Sequence, residues 1–267
     1  MLLFSIVTVT YNAGKELLRT VESVLGQKCQ DFEIIVKDAG STDHSIDNLP
    51  EDDRIRKICI SDKGIYDAMN QALPYVNGQY TIFLNAGDYF YNKDVLSNLQ
   101  KTLRSSRKQY DIYFGDVYIR SRSGFVNYPD KLDLYFLMTR SICHQAMFFS
   151  KRIIDICRYD SDMFKYAADM EFYVNAILNK KASYLHINEV IVNYEGGGTS
   201  ETCAHKKIVL TEKKKIMKRY LNEKEYFFIN LKKILTLKTV KEKIGSSKLT
   251  KNIYEKMAIK LIRKTEK

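Results

Sequence analysis

No stretch of this sequence approaches the roughly 20 consecutive apolar residues that a membrane-spanning helix needs, so a soluble, globular chain is expected. The first residues run straight into a strand pattern and lack the basic, long-apolar, small-residue order of a signal peptide, so none is expected. The five cysteines (Cys29, Cys59, Cys143, Cys157, Cys203) form no C-x-x-C pair and have no histidine at metal-finger spacing. That argues against a zinc finger and leaves free thiols in a reducing cytoplasm as the expectation. Internal repeats and long linkers are also missing.

What is present suffices for a full core. At 267 residues and 45% hydrophobic content, the chain reads as one large domain or one domain with an appendage. The net charge of +11 is unevenly placed: residues 206–267 hold 20 Lys and Arg against 6 Asp and Glu, and the first 205 residues hold 23 against 26. A slightly acidic body therefore carries a strongly basic tail.

Strand and helix patterns alternate through the first part of the body. LLFSIVTVTYN is rich in β-branched residues and ends in a turn, and KELLRTVESVLGQ then places Leu17, Leu18, Val21, Val24 and Leu25 on one helical face. FEIIVKD and IRKICI read as strands, IYDAMNQAL as a helix and YTIFLN as a strand. This order predicts a mostly parallel sheet with helices on both faces. Further on, YDIYFGDVYIR and GFVNY read as antiparallel strands around a turn, AMFFS as a short strand, residues 166–178 as an amphipathic helix, and ASYLHINEVIVNYE as one or two strands. From residue 205 the pattern is helical and basic, with Gly245-Ser246-Ser247 as a break before a final helix.

Sheets of this kind carry function outside the carboxyl ends of their strands. Those ends hold Tyr11 and Asn12, then Asp38, Asp62, and Asn85 with Asp88. Two nucleotide-binding classes fall away, because the first turn, TYNAGKELL, has one glycine where a dinucleotide site needs a glycine-rich turn, and no G-x-x-x-x-G-K-[ST] loop occurs. A rim of carboxylates remains, suited to holding a hard divalent cation against a diphosphate.

In order along the chain, SIVTVTYNAG, IIVKDAGSTDHS, SDKGIYDAMNQAL, FLNAGD, FGDV, ICHQAMFF and YAADMEF resemble the motifs of family 2 inverting nucleotide-sugar glycosyltransferases of the GT-A fold. The similarity is to the bacterial branch that builds O-antigen and capsular polysaccharides. It implies an α/β, Rossmann-like catalytic domain over residues 1–204, with a mostly parallel central sheet and a small antiparallel one. A basic helical extension over 205–267 would follow.

The resemblance also assigns roles. Thr10, Tyr11 and Asn12 belong to the donor's base pocket, with Tyr11 packing on the ring; the alternative is a tyrosine capping the core. Asp38 corresponds to the aspartate that bonds the base, with Ser41 and Asp43 in the same loop, although Asp43 also reads as the N-cap of a helix beginning near His44. Asp62, Lys63 and Gly64 form a second nucleotide loop, with Lys63 available to a phosphate or simply solvated. Many relatives carry an arginine, one residue before an asparagine, that reaches toward the diphosphate, and the resemblance places Asn70 at that asparagine among the donor nucleotide-binding residues. Here Met69 precedes Asn70, so another group must balance the phosphates. Asn85, Ala86, Gly87 and Asp88 stand where the family has D-x-D, which leaves Asp88 as the one carboxylate for Mg²⁺ or Mn²⁺. Asp169 corresponds to the catalytic base, and Glu171, about 200° further round a helix, faces elsewhere. Asp169 would equally suit a helix start. His144 and Gln145 fall on the acceptor or phosphate side, Asp116 near the donor sugar or acceptor, and the EGGGTS segment (195–200) is either a closing loop or a plain turn.

The expected reaction moves a sugar from a nucleotide-diphosphate sugar, in the first place a UDP-sugar, to a hydroxyl of a lipid-linked glycan. The basic tail then lies on the inner face of the cell membrane, or caps the catalytic domain, or does both. A nucleotidyltransferase acting on sugar phosphates is the enzymatic alternative. A nucleic-acid-binding protein is suggested only by the tail's charge, and no nucleic-acid partner is expected.

Overall fold

The computed structural model describes residues 2–196 and 205–236. It divides into two compact units: residues 1–130 with 142–207, and residues 131–141 with the chain from 208 onward. The expected break at Gly245-Ser246-Ser247, the final helix, Cys203 and most of the EGGGTS segment lie outside the described residues.

The first unit is built on nine strands in one sheet. They are β1 (Phe4–Thr10), β2 (Phe32–Asp38), β3 (Ile55–Cys59), β4 (Tyr80–Phe83), β5 (Tyr89–Phe90), β6 (Ile112–Ile119), β7 (Gly124–Val126), β8 (Met147–Ser150) and β9 (Tyr184–Tyr194). Their order is β3-β2-β1-β4-β8-β6-β9-β5, with β7 paired to β6. β1 lies between β2 and β4 and is buried at all seven positions, the environment its β-branched sequence suits.

Helices α1 (Lys15–Leu25), α2 (Ile65–Ala72), α3 (Val95–Ser105), α5 (Lys151–Ile156) and α6 (Ala168–Leu178) complete this unit. Phe4 and Ile6 of β1 join Leu17, Val21 and Val24 of α1 and Leu96 and Leu99 of α3 in one core. A second apolar cluster holds Phe83, Tyr159, Phe172 and Phe149, with ring centroids 4.5–5.3 Å apart along the series.

The mostly parallel expectation holds for β3-β2-β1-β4 and for β6 with β9. β8 runs antiparallel to both β4 and β6, β7 to β6, and β5 to β9, so the sheet is evenly mixed, and the antiparallel strands are part of it. Parallel pairing needs a crossover, and the stretch between β6 and β9 supplies one with α5 and α6.

Two local expectations are corrected. Residues 44–48 form turns and no helix begins there, so Asp43 caps nothing; its Oδ2 accepts from the Gly14 N–H (2.7 Å) and its Oδ1 from the Ser45 N–H (3.0 Å). The helix expected over 166–178 is not amphipathic: α6 is buried at Ala168, Met170 to Val174 and Ala176, with Phe149 and Tyr159 packed on Phe172 and the Ile142 N–H donating to the Tyr173 hydroxyl.

The second unit holds α4 (Leu134–Thr139), α7 (Lys206–Tyr220) from Ile208 onward, and α8 (Glu223–Thr236). Asp133 caps α4 by accepting from the Phe136 N–H (2.6 Å). Asn222 and Glu225 form a reciprocal capping box at the start of α8, with bonds of 3.0 and 2.9 Å. Lys232 of α8 lies over the Tyr135 ring of α4, 4.3 Å from its centroid. No helix among the described residues is long and apolar enough to cross a membrane.

Candidate active site

The site lies where β4 ends. The run Tyr80–Phe83 is fully buried, and the chain then turns through Asn85-Ala86-Gly87-Asp88 into β5. Gly87 has φ +105°, a conformation that disfavours side chains, and this rather than space requires glycine there. Thr20 of α1 holds the turn from beneath: its hydroxyl donates to the Asp88 carbonyl (2.7 Å) and accepts from the Gly87 N–H (3.0 Å).

Asp88 is 5% exposed. Gln145 Nε2 donates to its Oδ2 and the Glu195 N–H to its Oδ1, both at 3.0 Å. Burial pushes the carboxyl up to about 6, against the lowering influence of the Glu195 N–H, His144 and Gln145. A buried carboxylate with an electrostatic deficit of this kind is a site that a cation satisfies.

His144 joins this turn to the helix α6. Its Nε2 lies 3.4 Å from Asn85 Nδ2 and its Nδ1 lies 3.3 Å from Asp169 Oδ2. Both contacts are satisfied when Nδ1 carries the proton and Nε2 accepts from the Asn85 amide. Asn85 Oδ1 is then turned away, and it is buried with no hydrogen-bond partner. Asp169, in the first turn of α6, also accepts from the Tyr66 hydroxyl (3.1 Å). Burial alone would raise its carboxyl, but the bonds from His144 and Tyr66 and the start of the helix outweigh it and hold it below the usual carboxylate value. Glu171 is buried, and its carboxylate adds to the raising of the Cys157 thiol, which burial mainly causes.

The structure thus brings Asn85, Asp88, His144, Gln145 and Asp169 into one hydrogen-bonded group. Asp88 and Asn85 Oδ1 fit a hard cation as one carboxylate and one amide oxygen, both oxygen donors. Among the described residues no cluster of three or more His, Cys, Asp or Glu side chains gathers around one point, so a cation held here would take its further ligands from substrate and water.

The remaining candidates are placed as follows. Tyr11, beyond β1, is 64% exposed, so it does not cap the core. The Asn12 N–H donates to Ser41 Oγ and Asn12 Oδ1 accepts from the Thr42 N–H, both at 2.8 Å, which ties the ends of β1 and β2 together. Thr10 is buried, with its hydroxyl unpartnered. Asp38 uses its carboxylate within its own loop, accepting from the Gly40 and Ser41 N–H groups and the Ser41 hydroxyl. Lys63 is exposed, and Gly64 has φ +134° at the start of α2.

Three candidates have partners that the sequence did not reveal. Asp62 accepts from Lys37 Nζ (2.8 Å), a fully buried lysine that also donates to the Ile60 and Asp38 carbonyls. Asn70 Nδ2 donates to the Tyr159 carbonyl (2.8 Å) and its Oδ1 accepts from the Tyr159 N–H (2.9 Å), so its amide clamps the 157–160 segment. Asp116 accepts from His186 Nε2 (2.9 Å) and the Tyr128 N–H (2.9 Å), and His186 Nδ1 lies 2.8 Å from Asp130. Missed altogether were Tyr66, Lys37, Arg19 and Arg120, and Glu195 was read only as the first residue of the EGGGTS segment. Lys37 alone carried a local signal, a cation inside an otherwise apolar strand.

Comparison with known proteins follows the same line. The chain is 30% identical over 216 residues to a PGL/p-HBAD biosynthesis glycosyltransferase of Mycobacterium bovis, covering 78% of this chain and 82% of that one. Its fold resembles that of S. aureus TarS (residues 1–349) in complex with UDP-GlcNAc, with a TM-score of 0.60 and 19% identity over 85% of this chain and 70% of that one. It also resembles glucosyl-3-phosphoglycerate synthase from Mycobacterium tuberculosis in complex with Mn²⁺, UDP and glucosyl-3-phosphoglycerate, with a TM-score of 0.57 and 13% identity over 82% and 80% of the two chains. The fold is therefore the GT-A, Rossmann-like arrangement of a mixed sheet with flanking helices. Residues 5–165, which include the Asp88 turn, His144 and Gln145, match the model of glycosyl transferase family 2, and the chain is a glycosyltransferase of that family.

Proposed function

We propose that this glycosyltransferase moves a sugar from a UDP-sugar to a hydroxyl of a lipid-linked glycan in surface polysaccharide synthesis, with inversion and with the help of Mg²⁺ or Mn²⁺. The observation that carries the reading is the hydrogen-bonded link from Asn85, in the turn that Asp88 closes, through His144 to Asp169, with the same imidazole in electrostatic reach of the Asp88 carboxyl.

In this reading Asp169 accepts the proton of the acceptor hydroxyl, with Tyr66 and His144 fixing its two oxygens. Asp88 and Asn85 would hold the divalent cation, which when bound neutralises charge on the departing diphosphate. Exposed Tyr11 supplies a flat apolar face for the uracil ring, and the cross-tied loops at Asn12, Ser41 and Thr42 frame it. Lys63, which makes no ion pair among the described residues, is a candidate partner for the phosphates.

Support for a membrane-borne acceptor comes from the second unit. α7 carries Lys206, Lys207, Lys213, Lys214, Lys215, Lys218 and Arg219, and Leu210, Phe227 and Ile234 are exposed on α7 and α8. Basic helices with exposed apolar residues favour anionic lipid surfaces. Family membership favours sugar transfer over the nucleotidyltransferase and nucleic-acid readings.

The test is a thermal-shift panel of nucleotides and nucleotide sugars, with and without Mn²⁺. Stabilisation by UDP or a UDP-sugar that depends on the cation is the expected result. Equal responses to all nucleotides, or none, would overturn the assignment.

A further inference from the structure

Beyond the site's own residues, a charged clamp surrounds Glu195, the residue that follows β9. Its N–H holds Asp88 Oδ1 (3.0 Å), and its carboxylate pairs with Arg19 of α1 (3.3 Å) and with Arg120 just after β6. Both guanidinium groups lie over the Tyr89 ring, 4.9 and 5.5 Å from its centroid. Tyr89 follows Asp88 directly. Arg19 also donates to the Gly87 carbonyl (2.5 Å), so it grips the same turn from its other side.

The backbone beside Glu195 is equally constrained. The Ser121 N–H donates to the Glu195 carbonyl (3.1 Å), and a Cβ on Gly196 would fall 2.1 Å from Ser121 Oγ. As ion pairs these contacts contribute little stability, because Arg19, Arg120 and Glu195 are each a third to a half exposed and water screens them. Their geometric effect is larger. Three chain segments far apart in sequence are held so that one N–H meets one carboxylate oxygen. Groups that orient a metal-binding carboxylate typically alter metal affinity by 10–100-fold when removed.

We infer that Arg19 and Arg120 are positioning residues: by clamping the Glu195 carboxylate they aim its backbone N–H at Asp88 and so set the affinity of the site for a divalent cation. This rests on the assignment of Asp88 to the cation.

The experiment measures UDP binding by isothermal titration calorimetry across a series of Mn²⁺ concentrations for the full chain, Arg120→Met, Glu195→Gln and the double variant. Each single change should raise the Mn²⁺ concentration needed for half-maximal UDP binding about 10-fold, with metal-free UDP affinity unchanged. The double variant should be no worse than either single one, because both break the same clamp. Folded Arg120→Met with unaltered Mn²⁺ dependence would overturn the inference, as would an equal loss of metal-free UDP binding or strict additivity in the double variant. Arg19→Met, judged in the same way, keeps the test open if Arg120→Met does not fold. If the unmodified chain binds UDP without regard to Mn²⁺, the cation role of Asp88 falls and takes this inference with it. Mn²⁺ dependence in the unmodified chain with unaltered variants removes the clamp alone.

Discussion

His144 Nδ1 sits 3.3 Å from Asp169 Oδ2, and the opposite ring nitrogen faces the Asn85 amide at 3.4 Å. One imidazole thus spans the two halves of the site, and it explains why the Asp169 carboxyl lies below its ordinary value despite burial. With deprotonated Asp169 as the proposed base, activity should persist as pH falls until that low value is reached. In His144→Ala the burial effect is no longer opposed by the imidazole, and the acid limb of kcat should move to higher pH. An acid limb at the same pH in both proteins, measured at saturating Mn²⁺ and donor, would remove His144 from this role. Asp169→Asn should lower kcat about 10²–10⁴-fold with UDP binding preserved.

Asp88 makes the opposite prediction for stability. Burial raises its carboxyl from an ordinary 3.8 to about 6, so the metal-free stability that Asp88 itself contributes is greatest below pH 4 and is lost as pH rises to 6. Asp88→Asn removes that decline. At pH 8 without metal the variant should be more stable than the parent by about 1–3 kcal/mol, and near pH 4 the two should match. Urea melts at the two pH values check this, and calorimetry should show that Asp88→Asn has lost Mn²⁺-dependent UDP binding.

Tyr11 offers a cleaner separation of binding from folding. At 64% exposed its ring contributes little to the core, so Tyr11→Ala should leave the melting temperature within a degree or two, while stacking on a base is commonly worth about 1–3 kcal/mol. UDP affinity should fall 5- to 150-fold by calorimetry. An unchanged affinity would move the base pocket away from this end of β1.

How far these features were legible in the sequence depends on how local their causes are. β1 could be read because its β-branched run and the turn after it are consecutive, and Asp88 because it closes an apolar strand. Helix α3 was not among the expected elements, although Val95, Leu96, Leu99 and Leu103 stand at helical spacing. The mixed strand order was not readable, since nothing near AMFFS says that β8 will enter between β4 and β6 and run against both. The same holds for Asn70, whose amide is taken by a backbone 89 residues away, and for Glu195, whose partners Arg19 and Arg120 lie 176 and 75 residues away. Long-range partners fix a polar side chain's role, and spacing within one segment does not report them.

Lys37, in β2, and Asp62, just beyond β3, form such a pair. Lys37 is fully buried and Asp62 nearly so, at 2.8 Å. Removing one partner strands the other charge, so Lys37→Met should cost about 3–5 kcal/mol. The double variant Lys37→Met/Asp62→Asn should recover much of that loss in a urea double-mutant cycle. Additive losses would show that the pair is not coupled.

Asp111 supplies the last test, one that concerns the frame and not the chemistry. At the start of β6 its Oδ1 accepts from Arg152 Nε (2.7 Å), and its Oδ2 accepts from the Ser183 N–H (2.8 Å) and hydroxyl (2.9 Å). The side-chain bond from Arg152 is the main cause that lowers its carboxyl to about 2, with the Ser183 bonds adding to it against the raising effect of burial. A carboxyl lowered in the folded state contributes stability that is complete above the unfolded value of 3.8 and is lost as pH falls through about 2. Asp111→Asn should therefore be less stable than the parent by about 2 kcal/mol at pH 7, a gap that closes toward pH 2. Since Asp111 ties α5 and the entry to β9 onto β6, the loss should appear as faster amide exchange at residues 150–153 and 183–185. The Asp88 turn, which Thr20 and Gln145 hold independently, should keep its protection. Loss of protection at both places together would mean that the frame and the site unfold as one unit.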